Sequence, residues 1–366
     1  MAGPLYSSHD TIKHLSKHLD FLNRAGEWFL HSGIQEPSGG VARYYRVESG
    51  ANLPVSSEIT GYAASALAFF HQRTGNPDYL DAAVRCARFL AGPAWDVASN
   101  TYPFEPGSDR AYFFDIGIIA RGLMAVSRIT GDAQFQQRAH EAALSLGFDF
   151  LGDSSFYPVI SLPEKEPLPE EPRWSRKPGC YQLKSALIWR EIGDEHADRM
   201  FNVALAMSLA SHQTFLSDEP DQEKVMDRLH AYCYFLEALL AATEHPEVRD
   251  ALKWGIARAG TLLREIGPTF ERSDVNAQLL RVRLIAHHEG IVTLDEAAAE
   301  EEAAHTASFQ TESFETRLDG GFWFGRKGNT MLPFSNPVST AFCAQALALW
   351  DDHKRGQWRF ALAQLI

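Results

Sequence analysis

The stretch Thr74-Gly-Asn-Pro-Asp-Tyr-Leu80 joins two apolar helical runs with almost no chain between them. A Gly or Pro just past a helical run, followed by an acidic residue opening the next, is the stop-and-restart chemistry of an αα-hairpin. Four further turns share this character: Thr130-Gly-Asp-Ala133, Ile192-Gly-Asp-Glu-His196, Thr243-Glu-His-Pro-Glu247 and His288-Glu-Gly-Ile-Val292. They recur at roughly 45 to 60 residues, so the chain reads as a repeat architecture before anything else is decided.

Apolar periodicity predicts twelve helices, at 9–32, 57–74, 77–91, 114–130, 133–151, 179–192, 196–215, 227–243, 246–265, 273–289, 294–306 and 336–352. Even-numbered segments are small and apolar nearly all round, as in Gly61-Tyr-Ala-Ala-Ser-Ala-Leu-Ala-Phe-Phe70, and such helices are buried. Odd-numbered segments carry one apolar stripe, as with Leu80, Ala83, Val84, Ala87 and Leu90, and belong to an outer layer. Short turns lead from inner to outer helices. Longer segments, 33–56, 92–113, 152–178 and 307–335, lead back. The expectation is an all-α fold, one (α/α)6 toroid domain over residues 1–366, with short turns on one rim and long loops on the other.

Loops longer than about 12 to 15 residues are usually functional or disordered. These carry too many aromatics for disorder, among them Tyr44, Trp95, Phe104, Tyr112, Trp174 and Trp323. Pro163 to Pro172, rich in proline and acid, reads instead as a surface excursion or flap. Alternating aromatics between glycines in Asp319-Gly-Gly-Phe-Trp-Phe-Gly-Arg-Lys-Gly328 suggest a short strand, and Gly39-Gly-Val-Ala-Arg-Tyr-Tyr45 a second. Ring closure would join them as a β-ribbon on the long-loop rim.

Composition narrows the partners. A net charge of −13 and the lack of a basic run argue against nucleic acid and anionic membranes. The first residues lack the pattern of a secretory signal and no apolar stretch reaches membrane-span length, so the expected location is cytoplasmic. Cys86, Cys180, Cys233 and Cys343 are isolated and read as reduced core residues. No phosphate-binding glycine loop or H-E-x-x-H is present, so neither cofactor nor metal is implied. Oligomeric state is left open.

The helical layout and turn phrases such as Thr74-Gly-Asn-Pro-Asp-Tyr-Leu80 resemble the six-hairpin glycosidase-like proteins over almost the full length. That resemblance implies the (α/α)6 toroid and a carbohydrate ligand; similar proteins include unsaturated glucuronyl hydrolases, other inverting glycosidases, sugar 2-epimerases, and domains of uronic-acid epimerases and lyases. Related toroids house terpene cyclases, prenyltransferases and lanthionine cyclases. The Asp-rich motif and the Cys/His zinc set of those groups are missing here.

Inner-helix starts converge on the ring axis, and here they are Ser57-Glu58, Asp115, Tyr181-Gln182, Asp227-Arg228, Ser273-Asp274 and Ser335-Asn336-Pro337. Asp227, Ser273 and Ser335 read as helix caps. Glu58 lies 16 residues before Thr74 and Asp115 lies 15 before Thr130, nearly equivalent places on successive inner helices. Helices in contact are about 8 to 10 Å apart, within the range of a glycosidase's two carboxylates. Asp115, beside Phe113 and Phe114, is the candidate acid, and Glu58 the second group; the alternative is that both are structural.

His230 reads as a core histidine or a base. Asp274, Gln278 and Arg281 share a helix face, where Asp274 would pair with Arg281 or a neighbour, or Gln278 and Arg281 would bind a sugar acid. Tyr44, Tyr112, Tyr181, Arg228, Trp323, Arg326 and Asn336 complete the candidate substrate-binding set, with Trp323 read either as a stacking platform or as a plug at the barrel seam. The leading expectation is a glycoside hydrolase for uronic-acid-containing oligosaccharides. A sugar epimerase or lyase, or a non-catalytic glycan-binding protein, are the alternatives.

Overall fold

Glycine stops and side-chain caps divide the chain where the turn phrases place them. The computed structural model describes residues 21–216 and 219–366. Its helices are α1 (21–31), α2 (Ser57–Thr74), α3 (Pro77–Ala91), α4 (Phe113–Thr130), α5 (Ala133–Asp149), α6 (Leu183–Ile192), α7 (Glu195–Phe215), α8 (Gln222–Leu239), α9 (Pro246–Ile266), α10 (Ser273–His288), α11 (Glu296–Ala307) and α12 (Pro337–Lys354). Residues 9–20 of the predicted first helix lie outside the described residues. Gly75, Gly131 and Gly193 end α2, α4 and α6 with φ of 74°, 73° and 69°, a region open to glycine at little cost. Asn76, Asp132 and Asp194 then cap α3, α5 and α7 by accepting backbone N–H groups.

The even-numbered helices pack in sequence, α2 on α4, α4 on α6, α6 on α8, α8 on α10 and α10 on α12, and α12 returns to α2, so the inner ring closes. The outer helices α3, α5, α7, α9 and α11 each pack on the inner helix before them. Trp28 of α1 donates to the carbonyl of Arg317 at 2.9 Å, and Arg24 binds Glu312 and Asp319, joining the first outer helix to the last long loop. The architecture is the (α/α)6 toroid.

Close approach of the inner helices depends on missing side chains. A Cβ on Gly122 of α4 would lie 2.5 Å from the carbonyl oxygen of Gly61 on α2, and one on Gly61 would lie 2.9 Å from backbone atoms of α4. Backbone cannot yield as a flexible side chain can. Gly122→Ala is therefore expected to lower stability by about 1 to 3 kcal/mol through overpacking, seen as a reduced melting temperature.

Among the described residues, ten short strands line the long-loop rim: β1 (Val41–Ala42), β2 (Tyr45–Arg46), β3 (Ala51–Asn52), β4 (Val55–Ser56), β5 (Arg110–Tyr112), β6 (Val159–Ser161), β7 (Phe270–Arg272), β8 (Gly325–Lys327), β9 (Thr330–Met331) and β10 (Phe334–Ser335). The two predicted strand segments do not pair directly. β2 pairs with β10, while β8 pairs with β7, and Trp323 bridges to Ser335 between them. Gly325 permits the β7 pairing, because a Cβ there would sit 2.3 Å from the carbonyl oxygen of Glu271. The Pro163 to Pro172 segment folds back along β6, with Leu168 N–H donating to Val159 and Ile160 bridging Pro167.

Three cap assignments need correction. Ahead of Asp227, α8 starts at Gln222, and Asp221 is its cap; the apolar pattern there begins later than the helix. Arg272 precedes α10, and the Ser273 hydroxyl instead donates to the carbonyl of Trp323 at 2.7 Å. Ser335 belongs to β10, and Asn336 caps α12.

Candidate active site

Inner-helix N-termini open into a cavity of about 760 Å³ at the long-loop rim, a size suited to a small organic ligand. Glu58 and Asp115 both line it. Each lies in the first turn of its helix, and the Gly61 and Gly122 contact draws those helices together just below. Burial pushes the Glu58 carboxyl up to about 7, against the opposing pull of Arg43. Burial also holds Asp115 well above its ordinary range, the charge of Glu58 adds to the rise, and Arg43 again opposes it. Two carboxyls that resist joint ionisation retain a proton between them near neutrality.

Arg43 comes from the loop between β1 and β2. Its guanidinium donates to Glu105 at 2.7 Å and lies 4.8 Å over the Phe104 ring. Tyr112 receives a hydrogen bond from Arg176 at 3.0 Å, and Arg176 in turn pairs with Glu171 at 2.5 Å. Tyr44 packs against Phe334 with centroids 4.9 Å apart. Phe104, Tyr112, Trp174, Phe324 and Phe334 give the walls flat apolar faces.

The wall opposite the carboxylates belongs to α8 and α10. Arg272 grips Asp274 with two hydrogen bonds, at 3.0 and 2.7 Å, donates to Asp227 at 2.8 Å, and covers Phe324 at 4.5 Å. Burial opposes ionisation of Asp274, yet the adjacent guanidinium keeps it below the usual carboxylate range. His230 hydrogen-bonds through Nδ1 to Oε1 of Gln278 at 2.8 Å. Burial and then Arg272 push its imidazole down to about 4, so it is neutral at pH 7. Nδ1 is engaged by Gln278, and Nε2 has no hydrogen-bond partner among the described residues.

Seven of the sequence-derived candidates therefore meet around one cavity: Glu58, Asp115, His230, Tyr44, Tyr112, Arg228 and Asn336. Asn336 spends its side-chain oxygen on capping α12. Five lie elsewhere. Tyr181 is buried, its hydroxyl donating to Lys177 and its ring meeting the edge of Trp174. Gln278 stands behind His230 as its hydrogen-bond partner. Arg281 is fully buried and pairs with Glu237 and Gln345; Asp274 pairs with Arg272 instead. The α10 face that holds Asp274 at the cavity continues inward, so a residue two turns further cannot reach it. Trp323 packs against the core at the seam, and Arg326 pairs with Glu271 in a separate cavity. Arg43, Arg272 and Trp174 were missed as site residues. Arg43 stood within the quoted strand segment, where the aromatic neighbours drew notice and the cation did not.

No protein-family model matches this chain, and no curated protein is significantly similar to it in sequence. Solved structures are similar over nearly its whole length. Cellobiose 2-epimerase from Spirochaeta thermophila DSM 6192 matches with TM-score 0.71 at 14% identity, covering 96% of this chain and 100% of the other. An unsaturated glucuronyl hydrolase specific for heparin matches with TM-score 0.66 at 9% identity, covering 92% and 98%. The glycoside hydrolase family 76 mannosidase from Bacteroides thetaiotaomicron VPI-5482 matches with TM-score 0.61 at 11% identity, covering 93% and 100%. The chain thus has the toroid of the six-hairpin glycosidase-like enzymes, and at these identities the likeness speaks for fold alone.

Proposed function

We propose that this protein is a carbohydrate-active enzyme, a glycoside hydrolase that uses Asp115 as general acid and Glu58 as the second carboxylate on uronic-acid-containing oligosaccharides. The reading rests on one observation above all: two carboxyls on neighbouring inner helices, both raised by burial, face the same aromatic cavity. Glycoside cleavage needs a proton for the leaving oxygen and an ionised group on water, which a pair sharing one proton supplies. Cations at the cavity, Arg43, Arg173 and Lys224, suit a sugar acid. A neighbour that is by name an unsaturated glucuronyl hydrolase agrees with this substrate class.

The test is turnover of a panel of uronic-acid and neutral disaccharides, followed by NMR of the products. Release of a new reducing end from an acidic member supports the proposal; a panel with no hydrolysis, under conditions where any member binds, overturns it. Activity is expected to rise as Glu58 ionises through about pH 7 and to decline at higher pH as the raised Asp115 loses its proton. Arg43 favours the ionised form of both acids, so Arg43→Gln raises their pKa values and moves that limb to higher pH. An unmoved limb removes Arg43 from this role.

A second reading, sugar epimerisation, is favoured by the neutral His230 with Nε2 unengaged at the cavity wall, and by the likeness to a cellobiose 2-epimerase. His230→Asn distinguishes the two. Loss of activity by roughly 10²-fold or more, with Glu58→Gln unaffected, points to proton abstraction by His230.

A further inference from the structure

A second cavity, of about 380 Å³, lies between the end of α9, helix α11 and the turn joining β8 to β9. That volume falls within the range of small-molecule sites, about 300 to 1,000 Å³. It is separate from the cavity that holds Glu58 and Asp115, yet β7 borders both. Glu271 and Arg272 are consecutive on that strand, so their side chains point to opposite faces, Glu271 toward the second cavity and Arg272 toward the first.

The charges around this space are already matched. Glu271 is buried, and its carboxylate accepts from Arg326 at 2.7 Å and from Asn276 at 2.9 Å, while His305 pairs with it through Nδ1 at 2.6 Å. Arg264 donates to Glu301 at 2.8 Å, and Arg283 to Glu302 at 2.9 Å. Each of the three carboxylates at the cavity therefore has its cation.

A different set of atoms is unspent. Asn276 is only 2% exposed, and its Nδ2 donates to Glu271 and to the carbonyl of Arg272; both partners are acceptors, which fixes the orientation of the amide. Its Oδ1 is left with no hydrogen-bond partner among the described residues, and the same holds for Nε2 of His305, Nη1 of Arg326 and the side-chain amide of Asn329. An anion entering here would meet three carboxylates, and a cation would meet the guanidinium groups of Arg264 and Arg326. An uncharged molecule with several hydroxyls avoids both costs, because each hydroxyl donates and accepts.

We propose that the second cavity is a binding site for a neutral monosaccharide, apart from the site of chemistry. The cavity's own donors and acceptors argue for a neutral polyol; that the polyol is a sugar rests on the carbohydrate reading above.

The experiment adds D-glucose, D-mannose, D-galactose and myo-inositol to the full chain, with D-glucuronic acid as the charged comparison, and locates binding by hydrogen exchange. Neutral sugars are expected to protect 263–276, 301–305 and 325–330, the segments around the second cavity. Asn329→Trp places an indole in the space from an exposed turn position and is expected to weaken that protection roughly tenfold or more at equal sugar concentration, with the melting temperature unchanged. Protection that survives Asn329→Trp, or that falls only on 43–58 and 112–115, overturns the second site while leaving the carbohydrate reading standing. Equal binding of D-glucuronic acid at the second cavity overturns its preference for a neutral ligand. Binding of myo-inositol there without any of the sugars overturns the sugar assignment. No protection by any probe overturns the site, and the carbohydrate reading is then judged separately by the disaccharide panel.

Discussion

Glu58→Gln and Asp115→Asn are each expected to lower kcat by roughly 10²- to 10⁴-fold, the range general acid and base groups contribute. The double variant should fall little below the worse single one, because the two groups act as a unit. Steady-state kinetics on any identified substrate provides the measurement, and retention of activity within a few-fold in both single variants would remove the pair from the mechanism. The charge of Glu58 helps to raise Asp115, so Glu58→Gln also lets the remaining acid lose its proton at lower pH. Stability should respond in the opposite sense. A carboxyl near 7 in the fold and near 4.5 when unfolded makes the native state bind more protons between those values, so stability declines as pH rises through that window. Gln carries no such penalty. Glu58→Gln should therefore melt higher than the parent at pH 8, and the difference should vanish below about pH 4.5.

Glu237→Gln is expected to be the most destabilising single substitution in the ring interior. Glu237 accepts from Lys184 at 2.9 Å and from Arg281, and both cations are fully buried. Burial already pushes Lys184 down to about 7 despite the nearby carboxylate, which measures how poorly this layer tolerates charge. Removing one partner of a buried ion pair costs about 3 to 5 kcal/mol, because the other charge is left uncompensated. Against a total stability of about 5 to 15 kcal/mol, such a loss threatens the fold itself. Denaturant unfolding of the purified variant checks the magnitude; a change below about 1 kcal/mol would mean that Lys184 sheds its proton and Arg281 finds another acceptor.

These two effects come from different depths of the same axis. The carboxylate pair sits where inner helices begin, and the ion cluster lies deeper, between the Phe342 ring and the segment after α12. Fold disruption and loss of chemistry are thus separable by mutation.

Local physics made the helical repeat readable in the chain. Glycines that can turn left-handed, acids that cap, and helices apolar on every side are properties of a few adjacent residues, so Thr74 to Leu80 and its four counterparts announced hairpins and their layering. The same local rule brought Glu58 and Asp115 to one mouth, because equivalent offsets from equivalent turns fall at equivalent heights. Which polar side chains of a helix reach the cavity was decided only by the tertiary structure. Asp274 and Arg281 share one face, yet their height differs by two turns, and that difference sends Asp274 to Arg272 at the wall and Arg281 to Glu237 in the sealed interior. Strand partners were likewise settled by ring closure: β2 meets β10, not the Trp323 segment, since pairing depends on residues nearly 300 positions apart that no local pattern couples.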